Sequence, residues 1–181
     1  MGNQMFQYAY IYSQMRKGHI PDVYVQDPYY FEEFEDEIRA MFSQGIVPID
    51  QVAIHVRRGS NPINPDEPEY HENSFYVNLF KTDYYEKAMA EFPGASFLVF
   101  SDDIEWCKKQ EIFHKCEFSE GDEVTDMNRM AGCQGLIMAN SSFSWWAGFL
   151  STGKVIAPSY DKWYCDGSDT RTIVLPQWKQ I

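Results

Sequence analysis

The sequence predicts an α/β fold, a Rossmann-like parallel sheet with flanking helices, and three observations carry that expectation. Short apolar segments alternate along the chain with segments of helical periodicity. Three of the apolar segments end in polar clusters, Arg57-Arg58-Gly59-Ser60, Ser101-Asp102-Asp103 and Asn140-Ser141-Ser142-Phe143-Ser144. Ligands of open parallel sheets sit outside the carboxyl ends of the strands, so parallel strands would bring all three clusters to one rim. Finally, 181 residues of which 44% are hydrophobic and 17% aromatic are enough for a sizeable core, and they exclude a disordered or fibrous chain.

The elements follow in order. Gly2-Asn3-Gln4 precedes an apolar helical stripe of Met5, Phe6, Ala9 and Tyr10. Over residues 30–44, Phe31, Phe34, Ile38 and Met41 recur at helical spacing, and Gly45 supplies a stop. Val52, Ile54 and Val56 alternate as a strand running into Arg57. The stretch Asn61–Ser74 holds three prolines and four acidic residues and reads as an exposed loop. Thr82 is placed to cap a helix through Tyr85, Ala88, Met89 and Phe92, which Pro93-Gly94 breaks. Phe97–Phe100 is a buried strand, followed by a short helix near Ile104–Gln110 and a candidate strand over Phe113–Phe118. Residues 124–133 read as a helix, Gly135–Ala139 as a strand, Asn140–Ser144 as a turn and Trp145–Leu150 as a helix. Val155–Ala157 is the last expected strand, before an irregular C-terminus.

Composition narrows the function. The net charge of −12 disfavours sequence-independent binding to nucleic acid, which depends on Lys and Arg neutralising phosphates. An anionic ligand must therefore meet local positive charge. Cys107, Cys116, Cys133 and Cys165 form no C-x-x-C pair and the four histidines are scattered, so no metal site is expected. No apolar run approaches the ~20 residues that span a bilayer. The opening Met-Gly-Asn-Gln-Met-Phe-Gln lacks the pattern of a secretory signal. Together with free thiols this gives the cytoplasm as the expected location; peripheral membrane association and oligomeric state stay open.

Each polar cluster has a ligand reading and a plainer one. Arg57 and Arg58 present planar forks of donors that match a diphosphate, or they form ion pairs with the abundant acidic residues. Ser141, Ser142 and Ser144 lie where a strand turns into a helix, the place for an anion beneath the positive end of the helix dipole; N-capping needs only one of them. Asp102 or Asp103 could accept two hydrogen bonds from a guanine edge or one from a ribose hydroxyl, while capping the helix at Ile104 accounts for one of the pair. Asn3 and Gln4 either approach a ligand closely or form an ordinary helix entry, and His55 is either a nucleotide contact or a satisfied core histidine. Trp145 and Trp146 open an apolar helix and read as core. Ser-Phe-Ser-Trp-Trp lacks the flanking glycines of a nucleophile elbow.

Taken together the segments resemble the α-1,2-fucosyltransferases of glycosyltransferase family 11. Gly2-Asn3-Gln4-Met5-Phe6-Gln7-Tyr8-Ala9 is similar to the second half of the family's N-terminal glycine-loop motif. His55-Val56-Arg57-Arg58-Gly59 is similar to its central motif, with Tyr30-Phe31 and 34–39 resembling the helix ahead of it. Phe100-Ser101-Asp102-Asp103 with Trp106, and Ala139-Asn140-Ser141-Ser142-Phe143-Ser144-Trp145-Trp146, resemble the two later motifs, and Val155–Pro158 and Leu175–Trp178 also fit.

The resemblance implies two facing Rossmann-like domains of the GT-B type, this chain being similar to the C-terminal, donor-binding half. It implies inverting transfer of fucose from GDP-fucose to a galactoside hydroxyl of a glycan, without cofactor or obligatory metal. The implied catalytic residues are Arg57 and Arg58; the implied substrate contacts are Asn3, Gln4, His55, Ser101, Asp102, Asp103, Asn140, Ser141, Ser142, Phe143 and Ser144.

Two departures stand out. The family's central motif usually continues with aspartate, where this chain has Ser60, leaving Asp66, Glu67 or Glu69 as substitutes. Only residues 13–28 separate the first helix from the segment similar to the middle of the family. Residues 1–28 are thus expected to be a remnant of an N-terminal domain and 29–181 a GDP-sugar-binding domain. The alternative is a non-catalytic domain that binds a guanine nucleotide sugar.

Overall fold

The computed structural model describes residues 1–17, 27–58, 76–165 and 172–181. In chain order the main elements are α1 (Gly2–Arg16), a 3₁₀ segment (Pro28–Phe34), α2 (Glu35–Phe42), β1 (Ile49–Val56), α3 (Tyr84–Ala90), β2 (Phe97–Ser101), α4 (Ile104–Cys107), β3 (Glu117–Phe118), α5 (Glu123–Gly132), β4 (Cys133–Ile137), α6 (Ser142–Leu150), β5 (Lys154–Ala157) and β6 (Lys179–Gln180). The expected alternation is present.

All six strands form one sheet in the order β3-β2-β1-β4-β5-β6, and every pairing is parallel. This is the doubly wound Rossmann order, whose direction of winding reverses between β1 and β4. Val56 of β1 lies opposite Ser101 of β2, and Ile54 opposite Ile137 of β4. The strand ends carrying the three polar clusters are therefore neighbours. Near-continuous apolar runs such as Phe97–Phe100 follow from burial of the sheet on both faces.

One face packs Ala53, Leu98, Phe100, Leu136 and Met138 against α1, α2, α5 and α6. The other packs Val52, Ile54, Val99, Ile137 and Ile156 with Tyr84 and Tyr85 of α3 and with Phe113. Two tyrosine hydroxyls are satisfied inside that second layer: Tyr84 donates to Met138 O at 2.8 Å and Tyr85 to His55 O at 3.0 Å.

Four local expectations change. The helix expected over 30–44 divides at Phe34, because Asp27 accepts from Tyr29 N–H and Pro28 opens a tighter 3₁₀ turn; α2 then stops before Gly45, whose φ is +90°. The strand expected over Phe113–Phe118 is only Glu117–Phe118, since Phe113 is spent as a buried anchor in a 3₁₀ turn. Helix α6 starts three residues earlier than expected, at Ser142, because the Ser141 hydroxyl accepts from Phe143 N–H. The C-terminus, expected to be irregular, contributes β6, too short to show a pattern of its own.

Helix α1 belongs to the main core. The Phe6 ring lies 4.6 Å from that of Trp145 and 5.0 Å from that of Trp146, and Phe31 stacks on Trp146 at 5.7 Å. Truncating Phe6 to alanine should therefore cost ~3–5 kcal/mol in urea unfolding, within one cooperative transition. A loss below ~1 kcal/mol, or a separate early transition, would show that α1 is not part of this core.

Candidate nucleotide-sugar site

A cavity of about 460 Å³ opens at the carboxyl rim, within the ~300–1,000 Å³ usual for small-ligand sites. It is lined by the residues following β1, β2 and β4 and by the N-terminal turns of α1, α5 and α6. Of the residues expected to contact substrate, Asn3, His55, Arg57, Ser101, Asp102, Asn140, Ser141, Ser142 and Phe143 line it. Gln4, Arg58, Asp103 and Ser144 do not.

The two arginines have separate duties. Arg57 lines the cavity, and its Nη1 donates to Asp102 Oδ2 at 2.7 Å. The other Asp102 oxygen accepts from Arg58 N–H at 2.8 Å, so one carboxylate ties the end of β2 to the end of β1. The Arg58 side chain turns away and lies 3.7 Å from the centroid of the Trp106 ring, with Asp103 Oδ2 3.7 Å from its Nε. Burial opposes its charge and Asp103 supports it. Asp103 also caps α4 by accepting from Trp106 N–H at 3.0 Å, and its own N–H donates to Ser101 Oγ at 3.0 Å. Ion pairing, the plainer reading, holds for both arginines; for Arg57 it coexists with a place on the cavity wall.

The serine cluster divides in the same way. Ser144 is fully buried and donates to backbone carbonyls, Ala139 O at 3.1 Å and Ser141 O at 3.3 Å. Asn140 Nδ2 donates to Val77 O, Lys162 O and Trp163 O, fastening two later segments to the end of β4. Ser141 is the N-cap, and Ser142 Oγ donates to Asn3 Oδ1 at 2.5 Å across to α1. Gly2 makes that approach possible: a Cβ there would lie 2.5 Å from the Ser142 carbonyl carbon and 2.7 Å from Phe143 N. The N-termini of α1 and α6 thus meet at the cavity. Neither has an acidic residue in its first turn, so their positive dipole ends face the opening unneutralised by their own helices.

His55 is 4% exposed, lines the cavity beside the Phe143 ring, and its Nδ1 has no hydrogen-bond partner among the described residues. Burial pushes its pKa down to about 4; Asp102 opposes that shift and Arg57 adds to it. At neutral pH the ring is therefore neutral.

Sequence reasoning missed Tyr76, Phe100, Gly121, Glu123 and Asp126, which also line the cavity. The last three lie beyond β3, in the connection to α5 and in its first turn. The same carboxyl-end rule finds them once it is carried through to that helix. Ser60, Asp66, Glu67 and Glu69 lie outside the described residues.

The family model for glycosyl transferase family 11 matches residues 1–181. The chain belongs to that family. Among curated proteins, it is 34% identical over 158 residues to an alpha-1,2-colitosyltransferase of Escherichia coli, covering 74% of this chain and 53% of that one. It is 30% identical over 142 residues to the O-antigen biosynthesis glycosyltransferase WbnK of Escherichia coli, covering 70% of this chain and 43% of that one. The family-11 chain spans about half the length of these relatives. No solved structure matches it. Among the described residues no helix is long and apolar enough to cross a membrane.

The buried neutral His55 has a thermodynamic signature. Its unfolded imidazole takes up a proton as pH falls through about 6.5, whereas the folded ring resists until about 4. The unfolded state then binds more protons and folding stability falls across that window. Between pH 7.5 and pH 5 this component amounts to about 2 kcal/mol. Urea unfolding at the two pH values should show a larger loss for the wild-type chain than for His55→Gln; equal losses would contradict a neutral buried imidazole.

Proposed function

We propose that this chain is the donor-binding part of an α-1,2-fucosyltransferase-type enzyme, taking a GDP-sugar and passing its sugar, with inversion, to a hydroxyl of a galactoside-terminated glycan. The observation carrying the reading is the convergence of Arg57 with the open N-termini of α1 and α6, at the point where the sheet changes its direction of winding. That arrangement suits a diphosphate, using a fixed cation and backbone donors. The α-1,2 linkage in the name of one relative supports attack by a hydroxyl at carbon 2 of the acceptor sugar.

In the displacement, the acceptor oxygen forms a bond to the anomeric carbon while the bond from that carbon to the phosphate oxygen breaks. The electron pair leaves with GDP and the hydroxyl proton passes to a base. Charge grows on the departing diphosphate, so donors already aimed at it stabilise the transition state more than the ground state. Arg57 supplies the cation, sharing its guanidinium between Asp102 and the phosphate. Asp102, holding both Arg57 and the Arg58 backbone, limits how far that arginine must reorganise.

The test is product analysis by mass spectrometry with GDP-fucose and a β-galactoside, beside calorimetric titration with GDP and UDP. The expected results are saturable binding of GDP over UDP, a fucosylated product, and a fall in kcat/KM on the order of 10²–10³ for Arg57→Ala. Binding of GDP without product would make the chain a nucleotide-sugar-binding domain. No binding of GDP would overturn the reading.

A further inference from the structure

The cavity wall carries both signs of charge. Arg57 and the open N-termini of α1 and α6 make one side rich in positive charge and donors. The start of α5 makes another side acidic, through Glu123 and Asp126. A ligand in the cavity can set an anionic group against Arg57 and N–H groups against the carboxylates. His55, 4% exposed and with Nδ1 unpartnered among the described residues, adds a buried polar group to the wall.

Three carboxylates line this cavity among the described residues: Asp102, Glu123 and Asp126. Asp102 spends both oxygens on Arg57 and on Arg58 N–H. The Glu123 side chain is 75% exposed, and water competes for it. Asp126 is half-buried and firmly held. Its Oδ1 lies 2.5 Å from Ser119 Oγ, which donates to it, and Arg129 Nη1 donates to that same Ser119 oxygen at 2.6 Å. A Cβ at Gly121 would sit 2.5 Å from Asp126 Oδ1, so a side chain at 121 would push on this carboxylate. Burial raises the Asp126 pKa, while the Ser119 hydroxyl, Arg129 and Gly121 N–H pull it back. A carboxylate offers about four lone-pair positions, and Ser119 and Gly121 use only part of them.

We propose that Asp126 reads the nucleotide base, its carboxylate accepting N1–H and the exocyclic N2–H of guanine while the diphosphate lies toward Arg57 and the N-termini of α1 and α6. This rests on the nucleotide-sugar reading above and moves base recognition away from Asp102 and Asp103, which the strand ends already employ. The chemistry selects the base. Guanine sets two donors side by side, matched to the two oxygens of a carboxylate. Uracil has one N–H between two carbonyls, which a carboxylate repels, and adenine sets an acceptor nitrogen beside its amino group. Inosine diphosphate keeps N1–H and lacks the exocyclic amine, so it isolates half of the interaction.

Calorimetric titration of the full chain with GDP, inosine diphosphate and inorganic pyrophosphate tests this. The wild type should bind GDP on the order of 10-fold or more tightly than inosine diphosphate. Asp126→Asn should weaken GDP by about 10- to 100-fold, bring GDP and inosine diphosphate close to equality, and leave pyrophosphate binding in place as evidence of folding. Arg57→Ala should weaken all three ligands together. A variant that binds pyrophosphate and keeps the wild-type preference for GDP would overturn the proposal. Should Asp126→Asn fail to fold, the wild type alone decides: equal affinities for GDP and inosine diphosphate overturn the assignment of Asp126 and leave the nucleotide-sugar reading standing. Absence of any GDP binding overturns both.

Discussion

Helix α6 has no polar face. Every residue from Ser144 to Leu150 is buried, including two adjacent tryptophans, so the helix can exist only when covered all round. The sheet covers one side through Leu136 and Met138, and α5, α2, Phe31 and Phe6 of α1 cover the others. The Trp145 indole N–H finds Ile173 O at 2.6 Å, which draws the chain before β6 onto the same helix. Much of the architecture follows from this one requirement. The helix that most needs covering is also the one whose N-terminus opens on the cavity. Packing that holds Trp145 and Trp146 therefore also fixes where Ser141 to Phe143 point.

At the rim a second constraint operates. Asp102 holds Arg57 by its side chain and Arg58 by its backbone, so the ends of β1 and β2 are locked by one carboxylate. Arg58 lies over Trp106 and braces the far side of that junction. A guanidinium held this way meets a diphosphate with little loss of freedom, which is how binding energy reaches the reacting bond rather than being consumed in ordering side chains. With a net charge of −12, the positive charge that an anion meets has to be local, as it is at Arg57.

Much of this was legible in the sequence. Apolar runs such as Phe97–Phe100, ending in charged or hydroxyl residues, revealed both the parallel sheet and the rim on which the clusters meet, and Trp145-Trp146 read correctly as core. What escaped has physical causes. Arg57 and Arg58 are chemically identical neighbours, and their separate partners, Asp102 for one and Trp106 with Asp103 for the other, appear only in the folded chain. Ser141, Ser142 and Ser144 look like a surplus of donors, yet each has a structural partner: a backbone N–H, Asn3 and two carbonyls. Asp126 escaped because it lies on α5 rather than in a cluster directly after a strand, and only the folded sheet brings the start of that helix to the rim. Residues 1–28 were set apart as a domain remnant on family length, and nothing in their pattern shows that Phe6 reaches Trp145.

The central claim is that a nucleoside diphosphate lies across the β1/β4 junction with its phosphates at Arg57. A crystal structure of the chain with GDP tests it most directly. The account predicts phosphate oxygens within hydrogen-bond distance of the Arg57 guanidinium and of backbone N–H groups at the start of α6, with the guanine toward α5. GDP bound elsewhere on the surface, or in the cavity with its phosphates away from Arg57, would contradict it.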